Sequence, residues 1–282
     1  MMLRSMVMVF GLRGALVAAA LALAACGDDA ASPKDVNDAS DTNESAEVSE
    51  EVDASPVEVV PDTTPVETLE VVPDATGPLP GFGVISGDCG FVAVELDSAS
   101  PSLYVNHYDF GTDPYYEGDL AKLTDGGREI LHDGNAGGSS ILSEVFAFEM
   151  LARCDGAVLL KTETEVVYDT PAKITDMVVA IDGQKVGANP TRAVGFPFEA
   201  PYTVEQAKTI LEKKLSDINS SSATVSAGDR WVKQILTVFA YADSHVEPVE
   251  TAWEAIDPAL RANTIVIVTV TDGNDQFIYS NN

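Results

Sequence analysis

The chain has 282 residues and a formal charge of −29, with 45 acids against 16 lysines and arginines. That length suffices for one sizeable core with appendages. A surface this acidic repels phosphate backbones, which excludes free nucleic acid as a default partner, and three histidines leave little for a zinc site.

Residues 1–25 read as a targeting segment rather than as part of the fold. Arg4 and Arg13 give a basic start, and Leu12 to Ala25 is apolar but short for a membrane span. The segment runs into Leu23-Ala24-Ala25-Cys26, followed at once by polar sequence. This stretch resembles the lipobox of bacterial lipoproteins. The resemblance implies cleavage before Cys26 and acylation of Cys26, with several acyl chains holding the protein in a lipid bilayer of the cell envelope. Gly27 follows the cysteine, where an aspartate would signal inner-membrane retention, so the outer membrane is favoured.

Residues 26–78 form an acidic, proline-rich tether. From residue 28 to 78 there are 15 acids and one base, Lys34, and no aromatic residue. Such a segment buries too little apolar surface to offset its ordering entropy. Imperfect repeats (SPVEVVPD, TPVETLEVVPD) and self-repulsion suit an extended spacer. The expected globular domain, 79–282, is itself acidic, with 30 acids against 13 bases. It holds the two other cysteines, Cys89 and Cys154. In an oxidising compartment they read as a disulfide closing a 65-residue loop, worth roughly 4 kcal/mol on the chain-entropy model; the alternative is two buried thiols.

Within the domain, Val84 to Leu96 predicts one or two short strands. Residues 97–138 are loop-rich, with short strand-like runs at Leu103–Val105 and Glu129–His132. The polar group Asn106, His107, Tyr108 and Asp109 reads as structural. A helix is expected over Ser139–Arg153, capped by Ser139 or Ser140 and apolar on most sides, hence buried. Its Glu144 and Glu149 need a partner, a proton or a metal. Three strands follow: Ala157–Tyr168, Ile174–Ile181 and Gln184 to about Val194. Asp182-Gly183 is a two-residue hairpin signal, so paired residues sum to 365 and Asp176 faces Asn189. Thr203–Asn219 reads as a helix broken by Ser220-Ser221-Ser222, Asp229–Ala242 as a second, and Val249–Ala262 as a third, interrupted near Asp257-Pro258. Thr264–Thr271 is a β-branched run that suits a buried central strand. Thr271 to Asp275 looks like a calcium loop but lacks the remaining ligands, and reads as a turn.

The order helix, three strands, helix, later strand resembles the core of the PD-(D/E)xK nuclease-like superfamily. The fold class expected is therefore α/β: a helix and a three-stranded antiparallel meander with flanking helices, a buried C-terminal strand and an irregular N-terminal β region. In that superfamily a helical Glu, an Asp of the second strand and an acid-x-Lys of the third bind Mg²⁺ and activate water for phosphodiester cleavage. By position, Glu144 matches the helical Glu and Asp176 the second-strand Asp. Asn189 falls where the acid belongs and Thr191 where the lysine belongs, with Pro190 between them. Glu163 could supply an acid, and Lys161, Lys185 or Arg192 a cation. No GxSxG, phosphate loop, HExxH or CxxC is present. Two functions follow as expectations: a non-enzymatic binding or scaffold module that meets an envelope protein or glycan, or a Mg²⁺-dependent nuclease or phosphodiesterase using Glu144, Asp176, Glu163 and Lys161.

Overall fold

The computed structural model describes residues 77–136, 141–198 and 200–280. The expected signal segment, Cys26 and nearly all of the tether lie outside the described residues, as do the expected helix caps Ser139 and Ser140.

Four strands lie side by side and parallel: β2 (Ser102–Asp109), β7 (Ile265–Asp272), β6 (Lys233–Ala240) and β5 (Gln184–Ala193). Antiparallel strands extend both edges. β1 (Val84–Gly87) pairs with β2, β4 (Met177–Ile181) with β5, and β3 (Val158–Thr162) with β4. Among the described residues the result is one mixed seven-stranded sheet in the order β1-β2-β7-β6-β5-β4-β3. Short helices α1 (Val92–Glu95) and α6 (Pro258–Arg261) lie in its connections, and α7 (Gln276–Tyr279) follows β7.

Both faces of the sheet are covered, as the parallel strands require. On one face lies α3 (Ile141–Asp155), buried from Ser143 to Arg153. Its Val145, Phe146, Phe148, Met150 and Leu151 join one apolar cluster with Met177, Val179, Val186, Ile235 and Ile267 of the strands. On the other face, α4 (Val204–Thr224) and α5 (Val246–Ala255) bury Leu211, Leu215, Val249 and Trp253 against Leu236, Val238, Val266 and Val268. The run Ile265–Val270 is buried at every position, as a strand flanked by β2 and β6 must be.

The hairpin register follows the turn. Asp182 (φ 47°) and Gly183 (φ 74°) both take positive φ, the geometry of a two-residue turn that matches strand twist. Ile181 then pairs with Gln184 and Met177 with Ala188, each pair summing to 365. Pairing with β4 stops at Ala188, two residues before Pro190, so the proline sits where β5 has only β6 beside it.

The end of α3 fastens the N-terminal segment. Cys89 and Cys154 form a disulfide. Beside it, the buried Arg153 donates from Nε to Leu79 O (2.8 Å), from Nη1 to Phe82 O (2.7 Å) and Tyr108 Oη (2.9 Å), and from Nη2 to Gly83 O (3.0 Å). Asp155 Oδ1 accepts from Val92 N at 2.9 Å.

Several expectations are corrected. The segment read as a helix over Asp229–Ala242 contains the strand β6, because a run buried on both faces loses the alternation that marks a strand. Glu129–His132 is not a strand but part of helix α2 (Asp125–Asp133), whose cap, Thr124, accepts from Gly127 N. The first meander strand ends at Thr162, short of Tyr168. Glu163–Glu165 folds into a 3₁₀ turn in which Glu165 reaches back to Thr162 N (2.9 Å). The second begins at Met177, not Ile174. Ser220 to Ser222 do not break α4: Thr224 Oγ1 donates to Ser220 O (2.9 Å) and the helix runs on to Thr224. Its cap is as expected, with Thr203 Oγ1 accepting from Gln206 N and Gln206 Oε1 from Thr203 N.

Candidate functional site

Glu144 enters from the first turn of α3, is buried, and accepts from Asn135 Nδ2 at 3.0 Å. Glu163 stands in the 3₁₀ turn after β3, where its Oε2 accepts from Ala136 N at 2.7 Å. Asp176 directly precedes β4. Burial pushes its carboxyl up to about 7; the Lys214 ammonium opposes this, while the carboxylates of Glu144 and Glu163 push the same way. The three acids singled out from the sequence therefore share one electrostatic neighbourhood.

The other half of the expected set is committed elsewhere. Lys161 Nζ lies 2.7 Å from Asp229 Oδ2 and donates to Glu165 O at 3.1 Å. Lys185 donates to Gly228 O. Arg192 stays within electrostatic reach of Glu144, and its Nε (3.0 Å) and Nη2 (2.8 Å) donate to Ser143 Oγ. Asn189 is buried and engaged on both ends of its amide. Oδ1 accepts from Asp176 N (3.1 Å), Nδ2 donates to Thr175 Oγ1 (3.0 Å), and the Gln234 side-chain amide lies 2.9 Å away.

Sequence reasoning missed Lys214 and Asn135. Lys214 follows Leu211 by three residues and precedes Leu215 on α4, at the margin of the apolar stripe, which is the position from which a long side chain reaches a buried acid. Asn135 gave no signal, since it lies in the connection after α2. The second helical acid, Glu149, is fully buried, and its Oε1 accepts from Thr124 N (2.8 Å) and Thr124 Oγ1 (2.6 Å), tying α3 to the start of α2.

A resident Mg²⁺ would want converging oxygens. Among the described residues, the group of acids whose ligand atoms all lie within 4.8 Å of one another is Glu129, Asp133 and Glu165, all exposed. Glu144, Glu163 and Asp176 do not converge in that way, and Asn189 spends its amide on its neighbours. The expected donor set does not fit the ion.

No family model matches the chain. It is 37% identical over 163 residues to the AAC-rich mRNA clone AAC4 protein of Dictyostelium discoideum, a match covering 56% of this chain and 24% of that protein. The chain thus spans about a quarter of the length of the curated relative it matches. Among solved structures, it is similar to Pyrococcus furiosus SfsA in complex with Ca²⁺, over 47% of this chain and 56% of that one, at 10% identity and a TM-score of 0.25.

Proposed function

We propose that this chain is a lipid-anchored lipoprotein of the bacterial cell envelope. Its folded domain, on a restriction-endonuclease-like core, serves as a non-enzymatic binding or scaffold module. The observation that carries the non-enzymatic part is Asn189. It occupies the place of the third-strand acid, and both ends of its amide serve the local fold. The element order α3-β3-β4-β5-α4-β6 supports the choice of core. The lipobox-like Leu23-Ala24-Ala25-Cys26 supports the anchor, and the Cys89–Cys154 disulfide suits an oxidising compartment outside the cytoplasm. The partners on this reading are the bilayer, through acylated Cys26, and an envelope protein or glycan.

A second reading is a Mg²⁺-dependent nuclease or phosphodiesterase, favoured by the mutual influence of Asp176, Glu144 and Glu163. Thr191 stands where its third-strand lysine belongs, Lys185 of that strand donates to Gly228 O, and Lys161 is held by Asp229.

Growth of a bacterial host with an alkyne-tagged palmitate tests the anchor. The chain should take up the label and fractionate with membranes, and Cys26→Ser should lose both. Unlabelled protein in the soluble fraction would sink the lipoprotein assignment.

A further inference from the structure

Among the described residues the strand β3 is an edge of the sheet, paired with β4 alone. An open edge presents N–H and C=O groups with no strand partner, and proteins ordinarily blunt it with charge. Here two residues of the edge strand, Val158 (61% exposed) and Leu160 (43% exposed), show apolar side chains to solvent, and Leu79 (54% exposed) lines the same cleft as Val158. Beside the strand opens this cleft of about 440 Å³, with Leu79, Phe148, Ala152, Val158 and Leu159 among its lining residues. Glu129 also lines it.

Glu129 joins the cleft to a cluster of exposed acids. Its carboxylate lies within 4.8 Å of those of Asp133 and Glu165, all three residues exposed. The His132 ring lies 3.1 Å from Asp133, charged only when protonated, and Lys161, whose Nζ donates to the Glu165 main-chain oxygen at 3.1 Å, is paired with Asp229. Three like charges so close repel one another, and a cation brought among them is attracted by all three. An apolar trough beside an open strand edge, flanked by concentrated negative charge, is complementary to one kind of object. That object is an extended segment that adds to the sheet, places apolar side chains in the trough and sets Lys or Arg against the acids.

We propose that β3 and the adjoining cleft form the docking surface of the module, and that the partner is a protein presenting an extended segment rich in apolar and basic residues. This rests on the binding-module reading and supplies its partner class.

The test uses the full chain and synthetic nine-residue peptides. One alternates Val and Lys, one alternates Val and Glu, and one alternates Ser and Lys. Fluorescence anisotropy should show saturable binding of the Val/Lys peptide alone. The paired change Glu129→Gln with Glu165→Gln should weaken it at least tenfold, and so should Val158→Lys, an exposed position whose change leaves the core untouched. Glu247→Gln with Glu250→Gln on α5 removes the same charge elsewhere and should leave binding unaltered. Hydrogen exchange at β3 amides should slow in the complex. Equal binding of the Ser/Lys peptide, equal loss in the α5 variant, or no binding at all would overturn the proposal. So would a concentration-dependent dimer abolished by Val158→Lys, which would assign the edge to a second copy of the chain. Metal-dependent phosphodiester cleavage by the same preparation would instead sink the non-enzymatic reading, so the two failures are distinguishable.

Discussion

The backbone N–H of Asp176 donates to Oδ1 of Asn189 at 3.1 Å, across the mouth of the β4–β5 hairpin. The residue in the third-strand acid position thus accepts from its neighbour's main chain. Asn189→Asp should not restore a metal site. It replaces the Nδ2 donor to Thr175 with an acceptor and adds a carboxylate beside one that already resists ionisation. Urea denaturation at pH 7 should show a loss of about 2–3 kcal/mol, smaller at pH 5.

Asp176 also sets a pH dependence. Its folded carboxyl titrates at about 7, against an ordinary value of 3.8. Between about pH 4 and pH 7 the unfolded chain gives up this proton while the folded chain keeps it. The contribution of Asp176 to stability therefore falls as pH rises through that window and is level above it. Asp176→Asn keeps the shape without the charge. The variant should exceed the parent by on the order of 1–2 kcal/mol at pH 8, with the difference vanishing near pH 4. Urea melts at pH 4, 6 and 8 measure this.

Much of this hairpin was legible in the sequence, because Asp182-Gly183 dictates a turn and the turn dictates the register of every residue in it. The burial of α3 was legible too, from apolar residues on most of its circumference. The strand β6 was not. In KQILTVFA every residue is buried, so neither the period of a helix nor that of a strand stands out. The candidate site was half legible. Position along the elements picks out Glu144 and Asp176, with Glu163 as a further candidate acid, but what each side chain meets is set by distant segments. Asp229, which takes Lys161, lies 68 residues away.

Lys233 is a buried cation held by the ends of another segment. Its Nζ donates to Glu95 O (2.6 Å), Ser98 O (2.9 Å) and Ser100 O (3.2 Å), closing the turn between α1 and β2. Lys233→Met fills similar volume but leaves those carbonyls without a donor. Thermal and urea melts should register a loss of about 3 kcal/mol.

The Cys89–Cys154 bridge spans 65 residues and joins the loop after β1 to α3. Replacing both cysteines with alanine should lower stability by about 3–4 kcal/mol on the chain-entropy model. The parent should lose a similar amount on reduction with dithiothreitol, and the double variant should not respond to it. Equal urea midpoints for parent and variant would remove the bridge from the account of stability.

The most direct test of the non-enzymatic assignment is calorimetric titration of Mg²⁺ and Mn²⁺ into the whole chain, with Asp176→Ala in parallel and a phosphodiester cleavage assay on the same samples. The account predicts no saturable binding that depends on Asp176 and no metal-dependent cleavage. A tight isotherm lost in Asp176→Ala, together with cleavage lost in the same variant, would contradict it and make Glu144 and Asp176 the centre of a metal-dependent hydrolase.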